Sequence, residues 1–287
     1  MHCGLISDLH LEEYIRLINK YRGQVKKDPD VFKYLFNIPP PTKKLDVLFL
    51  AGDICEYRHL TPWEEILAVV SDYADKIVVI PGNHEYYRTS IDKGASYRRL
   101  LSSDKVIFLE DEELVVKGVH IYGGTLWTDF ADDLTLARMV SMPSSGTYCD
   151  NNYKYILRGA AGLPKRKVRY GDVFKIARNT KKSIQSWLER TYGQKRLLLT
   201  HYPPLKQSAE HLLSDHPAFY GVEDEFWKIE CVNLERDFCG HEDVVLCHGH
   251  IHGKGSYQSR VGNLVYSNPR GASIAECECY EILEFEV

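Results

Sequence analysis

The sequence predicts an α/β fold built largely on parallel strands, and three observations lead there. Short apolar runs recur along the 287 residues, each closing on a polar or glycine-containing turn. Segments with helical spacing separate most of these runs. The residues able to do chemistry stand in the turns and not in the runs, as expected for buried strands with functional loops at their ends.

Taken in order, residues 3–6 form a first strand that leads into Ser7-Asp8-Leu9-His10. Residues 12–44 read as an insertion, a short helix and then a loop containing Pro39, Pro40 and Pro41. A second strand, 46–50, leads into Ala51-Gly52-Asp53, and a helix is expected over 62–73. The strand at 76–80 opens into Pro81-Gly82-Asn83-His84-Glu85, and a helix over 90–101 follows. Residues 114–122 read as one strand. Residues 128–172 form a second insertion, loop-rich and basic towards its end; long insertions in compact domains are commonly lids or binding loops. A helix over 173–192 precedes the strand 196–199, which leads into Thr200-His201-Tyr202-Pro203-Pro204. A helix over 222–238 precedes the strand 243–247, which leads into His248-Gly249-His250-Ile251-His252. Strands alternating with helices imply parallel pairing with right-handed crossovers. The runs at 114–122, 255–260, 263–267 and 280–287 lack intervening helices, look antiparallel, and point to a mixed sheet or a two-sheet sandwich. The length suits one large α/β domain over residues 1–287.

Composition narrows the class. Hydrophobic residues make up 44% and charged residues 26%, as in ordinary folded chains. No stretch approaches the roughly 18 apolar residues that cross a bilayer, and the first eleven residues reach charged groups too soon for a signal peptide. A cytoplasmic protein without a membrane partner is the expectation. The eight cysteines are scattered through a chain too large to need disulfide staples, so reduced, mostly buried thiols are expected. The net charge of −4 argues against coating nucleic acid by bulk electrostatics. Locally the balance reverses, with ten Lys or Arg between Asn151 and Lys182 against the single acid Asp172. A solvated face is the usual fate of such a run. Substrate contact through Arg166 and Lys167 is the sharper alternative, because this insertion is the one most able to fold over a site.

Asp8, His10, Asp53, Asn83, His201, His250 and His252 each stand just beyond a predicted strand. One such residue alone is ordinarily a cap or turn residue. Loops at strand C-termini converge on one crevice, however, and together these seven read as a ligand set. Oxygen and imidazole donors without thiolate suit manganese, iron or zinc better than a structural zinc site. Seven ligands are too many for one ion but suffice for two, if a carboxylate bridges. Two ions about 3.5 to 4 Å apart can deprotonate a shared water and clamp phosphoryl oxygens during in-line displacement. Phosphate-ester hydrolysis is the chemistry this serves.

The motifs Asp8-x-His10, Gly52-Asp53-x-x-Glu56, Gly82-Asn83-His84-Glu85, His201 and Gly249-His250-x-His252 resemble the calcineurin-like metallophosphoesterase signature, complete and in order. The stretch Thr125-Leu126-Trp127-Thr128-Asp129 is similar to one in bacterial and phage members. The resemblance implies a four-layer α/β sandwich of two mixed sheets flanked by helices. It implies that Asp8, His10 and His252 bind one divalent ion, that Asn83, His201 and His250 bind another, and that Asp53 bridges them, with manganese favoured over iron or zinc. His84 would contact the phosphoryl group and protonate the leaving oxygen. A general acid beside two cations tends to lose its proton, so a neighbouring carboxylate should sustain its pKa; Glu56 is the candidate. In the protein phosphatase branch an acid at this position pairs with the catalytic histidine and a phosphate-binding arginine follows immediately. Here Tyr57 intervenes and Arg58 comes one place later, as a weaker substrate-binding candidate. Purple acid phosphatases carry a tyrosine ligand where this chain has Glu56, so a ferric tyrosinate site is not implied. Two rival readings stand beside the phosphoesterase. One is a nuclease or cyclic-nucleotide phosphodiesterase using the same site, with nucleic acid as partner. The other is a non-catalytic scaffold, against which the intact ligand sets and His84 count.

Overall fold

The computed structural model describes residues 1–20, 36–142, 150–159, 164–212, 227–271 and 279–287. Its first sheet holds β1 (His2–Ile6), β2 (Leu45–Ala51), β3 (Ala74–Ile80), β4 (Val106–Phe108) and β13 (Leu283–Glu286), in the order β13-β1-β2-β3-β4. Only the β1–β13 pair is antiparallel. The second sheet holds β5 (Glu112–Val116), β6 (Val119–Gly124), β9 (Lys195–Thr200), β10 (Val245–His248), β11 (Gly255–Gln258) and β12 (Leu264–Ser267), in the order β11-β12-β10-β9-β6-β5. Its two edge pairs are antiparallel and its interior is parallel. A small antiparallel pair, β7 (Leu157–Arg158) and β8 (Arg166–Lys167), lies apart.

The period-2 alternation of side chains decides the layering. Val47 and Phe49 of β2 turn inward against Leu197 and Leu199 of β9, forming a core between the sheets. Leu48 and Leu50 turn outward, against Trp63 and Ile66 of α2 (Leu60–Val69), which follows α1 (Leu11–Lys20) and precedes α3 (Gly94–Leu101). On the far side Leu198 and Leu246 meet Ile184, Trp187 and Leu188 of α6 (Tyr170–Arg190). Helix α6 buries Val173, Ala177, Thr180, Ile184, Trp187 and Leu188, one stripe at helical spacing. The result is helix, sheet, sheet, helix, the four-layer α/β arrangement that the resemblance implied.

Several elements differ from the sequence expectation. The run 114–122 is a hairpin, because Lys117 and Gly118 adopt φ of 48° and 79°, the left-handed pair that a tight two-residue turn requires. Strand β4 escapes the pattern because three residues carry too little periodicity. Residues 222–226 of the expected helix 222–238 lie outside the described residues. Of the rest, only α8 (Trp227–Glu230) is helical. Beyond it, the backbone N–H groups of Val232 and Leu234 bond to Pro203 O and Pro204 O, and the apolar residues Val232, Leu234 and Phe238 are buried from a non-helical path. The second insertion is more ordered than a loop. It carries α4 (Leu134–Ser141), α5 (Asn151–Tyr155) and the β7–β8 pair, and it is stitched to residues 87–90 through the bridges Tyr87–Ile156 and Ser90–Leu157. The remaining helix, α7 (Lys206–Leu212), follows the His201 loop. Cys3, Cys55, Cys231, Cys239, Cys247 and Cys279 are free thiols; Cys149 and Cys277 lie outside the described residues. No helix among the described residues is long and apolar enough to cross a membrane.

Candidate metal centre

Parallel strands β1, β2, β3, β9 and β10 end at one place, and the loop after each delivers a predicted ligand. Asp8 and His10 follow β1, Asp53 follows β2, Asn83 and His84 follow β3, His201 follows β9, and His250 and His252 follow β10. The backbone there is strained. Asp8, His10, Asp53, His250 and His252 have φ of 52°, 46°, 53°, 71° and 36°, a region non-glycine residues seldom occupy unless surrounding structure imposes it. Hydrogen bonds between loops impose it here: Asp8 N donates to Gly52 O (3.0 Å), His10 N to Asp53 O (3.0 Å) and His250 N to Asp8 Oδ1 (3.0 Å). Two glycines make room for the carboxylates. A Cβ on Gly82 would lie 2.2 Å from Asp53 Oδ1, and one on Gly249 would lie 2.5 Å from Asp8 Oδ2.

The side chains fall into two sets. In the first, His10 Nε2 and His252 Nε2 are 2.9 Å apart, with Asp8 Oδ1 at 4.0 and 3.7 Å from them. In the second, His201 Nε2 lies 3.0 Å from Asn83 Oδ1, 3.2 Å from His250 Nδ1 and 3.4 Å from Asp53 Oδ1. The other oxygen of Asp53, Oδ2, faces the first set at 4.0 Å from His10 Nε2. All seven sequence-predicted ligands are thus brought together, with Asp53 between the two groups. Five of them, His10, Asp53, Asn83, His250 and His252, line a cavity of about 180 Å³ together with Glu13 and His84.

Hydrogen bonding decides which lone pairs point into this space. His201 Nδ1 donates to Ala51 O at 2.9 Å, which turns Nε2 to the cluster. Burial opposes charge on this ring, but Asp53 outweighs it and raises the ring to about 9, so without a cation Nε2 carries the proton that a metal would displace. Asn83 Nδ2 donates to Tyr87 Oη (3.1 Å) and Asn152 Oδ1 (3.0 Å), which turns Oδ1 inward. His250 Nε2 lies 2.6 Å from Glu230 Oε2, so its Nδ1 faces the cluster. Burial pushes His250 down to about 3 and His252 to about 4, so both rings are neutral. Ring nitrogens and oxygens gathered within 2.9 to 4.0 Å of one another form a donor set whose lone pairs a cation would hold together. Imidazole and oxygen donors, outer carboxylates on the rings and the absence of thiolate all fit divalent transition ions.

His84 stands beside this cluster, its ring stacked on Tyr87 at 4.2 Å and its Nε2 3.9 Å from Asp53 Oδ2. Its carboxylate partner is Glu12, whose Oε1 lies 2.8 Å from His84 Nδ1. The expected pairing with Glu56 is therefore corrected. Glu56 is fully buried, but it turns to the guanidinium groups of Arg16, Arg58 and Arg88, because the chain after Asp53 carries it away from the His84 ring. Burial disfavours charge on His84, yet Asp53 and Glu12 outweigh it and raise the ring to about 9. Burial likewise opposes charge on Glu12, but hydrogen bonds from His10 and His84 hold it at about 2.

The basic candidates are not brought to the cavity wall. Arg58 is committed to Glu56, exposed Arg166 pairs with Asp172 at 2.5 and 2.8 Å, and exposed Lys167 donates to Lys154 O. Trp127 is buried beside Tyr86 and Tyr202, and buried His248 contacts Ser208 Oγ at 2.9 Å. Sequence reasoning missed four supporting residues. Glu12 followed His10 by two places and was legible only as an acid in an insertion. Glu85 stood inside a quoted motif without a role; its buried carboxylate accepts from the N–H groups of Gly82 (2.7 Å), Asp53 (2.9 Å) and Ile54 (2.7 Å), tying two ligand loops together. Asn152 and Glu230 come from distant segments, and no sequence signal pointed to them.

Scaffold and donors define the class, a four-layer α/β protein with an Asp, Asn and His cluster fit for metal. The family model of the calcineurin-like phosphoesterases matches residues 1–254, and the chain belongs to that family. Phosphopantetheinyl hydrolase (PptH) from Mycobacterium tuberculosis is similar in fold, with a TM-score of 0.61 and 15% identity over 96% of this chain and 91% of that one. A dimetal phosphatase from Danio rerio matches with a TM-score of 0.49 and 11% identity over 99% of this chain and 91% of that one. No curated protein is significantly similar to the chain.

Proposed function

We propose that the protein is a dinuclear metal-dependent phosphoesterase in which Asp53 bridges two divalent cations. The observation that carries this reading is the position of the Asp53 carboxylate, with Oδ1 3.4 Å from His201 Nε2 and Oδ2 4.0 Å from His10 Nε2. Asp8, His10 and His252 would hold one cation; Asn83, His201 and His250 would hold the other. When bound, the pair supplies a nucleophile from water and binds the non-bridging phosphoryl oxygens. Manganese suits the donor set, with iron and zinc as alternatives.

The chain's own residues do the rest. Glu12 accepts from His84 Nδ1 and so aims Nε2 at the cavity, where it holds the proton that the departing ester oxygen needs. Cations nearby would pull the ring down from about 9 towards the range where it both holds and gives up a proton. Asn83 is locked by Tyr87 and Asn152, so its carbonyl oxygen cannot turn away. The basic pair Arg166 and Lys167, on which the nuclease reading leaned, is engaged elsewhere. Metal analysis after purification, followed by assays of the manganese-loaded protein on p-nitrophenyl phosphate and bis-p-nitrophenyl phosphate, tests the proposal. Two equivalents of metal and turnover of at least one ester are expected. A protein that binds no metal and hydrolyses neither would overturn it and revive the scaffold reading.

A further inference from the structure

Beside the metal cavity, three arginines converge on one buried carboxylate. Glu56 Oε1 accepts from Arg16 Nη2 and Arg88 Nη1, while Oε2 accepts from Arg58 Nε. One guanidinium would neutralise Glu56. Among the described residues, Glu13 pairs with Arg16 and itself lines the cavity, and Glu12, whose charge the His84 ring balances, also acts on Arg16. The group therefore keeps a net positive charge. The three side chains are 36%, 39% and 33% exposed, although the acid at their hub is not exposed at all. Each guanidinium has five N–H donors and, among the described residues, commits one or two of them to carboxylates. The surplus donors of Arg58 and Arg88 remain for something else.

The placement of Arg88 is built. Its backbone is left-handed, with φ of 60°, a conformation that surrounding structure must hold in a non-glycine residue. Arg88 N donates to Tyr155 O at 2.9 Å, and the guanidinium lies 4.7 Å from the centre of the Tyr155 ring. The second insertion thus fixes an arginine four residues after His84, the residue proposed to protonate the leaving oxygen.

We propose that Arg16, Arg58 and Arg88 form a subsite for a second anion, carried on the leaving group of the substrate. Planar guanidinium forks suit phosphate and carboxylate oxygens. The preferred substrates are then phosphate esters whose departing alcohol bears a further phosphate or carboxylate. Glu56 is the hub that keeps three like charges together when this subsite is empty. The inference rests on the phosphoesterase reading of the metal cavity and names the substrate class for it.

The test compares kcat/KM of the manganese-loaded protein for propyl and pentyl phosphate with that for 1,3-propanediol and 1,5-pentanediol bisphosphate. The wild-type protein is expected to favour at least one bisphosphate over its monophosphate by tenfold or more. Arg88→Met and Arg58→Met are expected to bring that ratio towards one, and Arg88→Lys to restore part of it. A wild-type ratio near one for both chain lengths overturns the subsite while leaving the phosphoesterase reading intact. So does a ratio that both methionine variants preserve. If no ester is turned over by metal-loaded protein, both readings fall together. The wild-type comparison decides the matter even where a variant fails to fold.

Discussion

At the scale of single residues, the centre separates groups that would hold metal from groups that hold those groups. Asp53 is the shared member, so Asp53→Asn should abolish most turnover and reduce bound metal below two equivalents, as read by elemental analysis. An unchanged metal content would remove the bridge from the proposal. His84 is expected to act on the leaving oxygen, and general acid catalysis is worth about 10²- to 10⁴-fold. His84→Asn should therefore lower kcat by an amount in that range while metal content holds; ordinary turnover would require a different acid. Glu12 touches both His10 and His84. Glu12→Gln keeps the shape and loses the charge, and outer carboxylates on metal-site histidines contribute about 10- to 100-fold in affinity or activity. A comparable loss from Glu56→Gln in place of Glu12→Gln would restore the assignment that the geometry replaced.

At the scale of elements, the β-loop turns decide whether those residues meet. Gly82 lies against Asp53 and His201 so closely that a methyl group has nowhere to go: its Cβ would be 2.2 Å from Asp53 Oδ1 and 2.7 Å from His201 Cε1. Gly82→Ala should cost about 1–3 kcal/mol, the usual penalty of overpacking, and should also impair metal binding. Denaturant midpoint and metal titration together check this, and a fully stable variant that binds metal normally would show that the loops have slack. Element type was readable where a long period coincided with one buried stripe. Helix α6 carries six buried residues at helical spacing and was placed within a few residues of its ends. Short or bent pieces were not: Lys117-Gly118 divided one expected strand into two, and the chain after Glu230 buries apolar residues from an irregular path because Pro203 and Pro204 offer it carbonyl partners.

At the scale of the whole molecule, the centre lies where both sheets end. β1, β2 and β3 of one sheet and β9 and β10 of the other each contribute. Cations held there would bind only the folded state and stabilise it. At a free concentration of 100 times Kd the gain is about 2.7 kcal/mol per site, and for a chain of this size the two sites together correspond to a shift of roughly 10 °C. A chelator should lower Tm by about that much and re-added manganese should restore it, by scanning calorimetry. A Tm indifferent to both treatments would mean that no cation couples the two sheets.

The sequence alone determined the alternation of strands and helices and the seven residues of the candidate centre, while the four-layer arrangement was implied by the resemblance of its motifs. Strand periodicity is written locally, and a ligand must sit in the turn immediately after its strand. What only the tertiary structure decided was which carboxylate meets which side chain. Glu12 and Glu56 are both acids a few residues beyond a ligand, and nothing in their spacing tells that one turns to His84 and the other to three arginines. Glu230 and Asn152 reach the centre from segments remote in the chain. Contacts of that kind depend on how loops pack once the sheets are stacked, and local sequence carries no record of them.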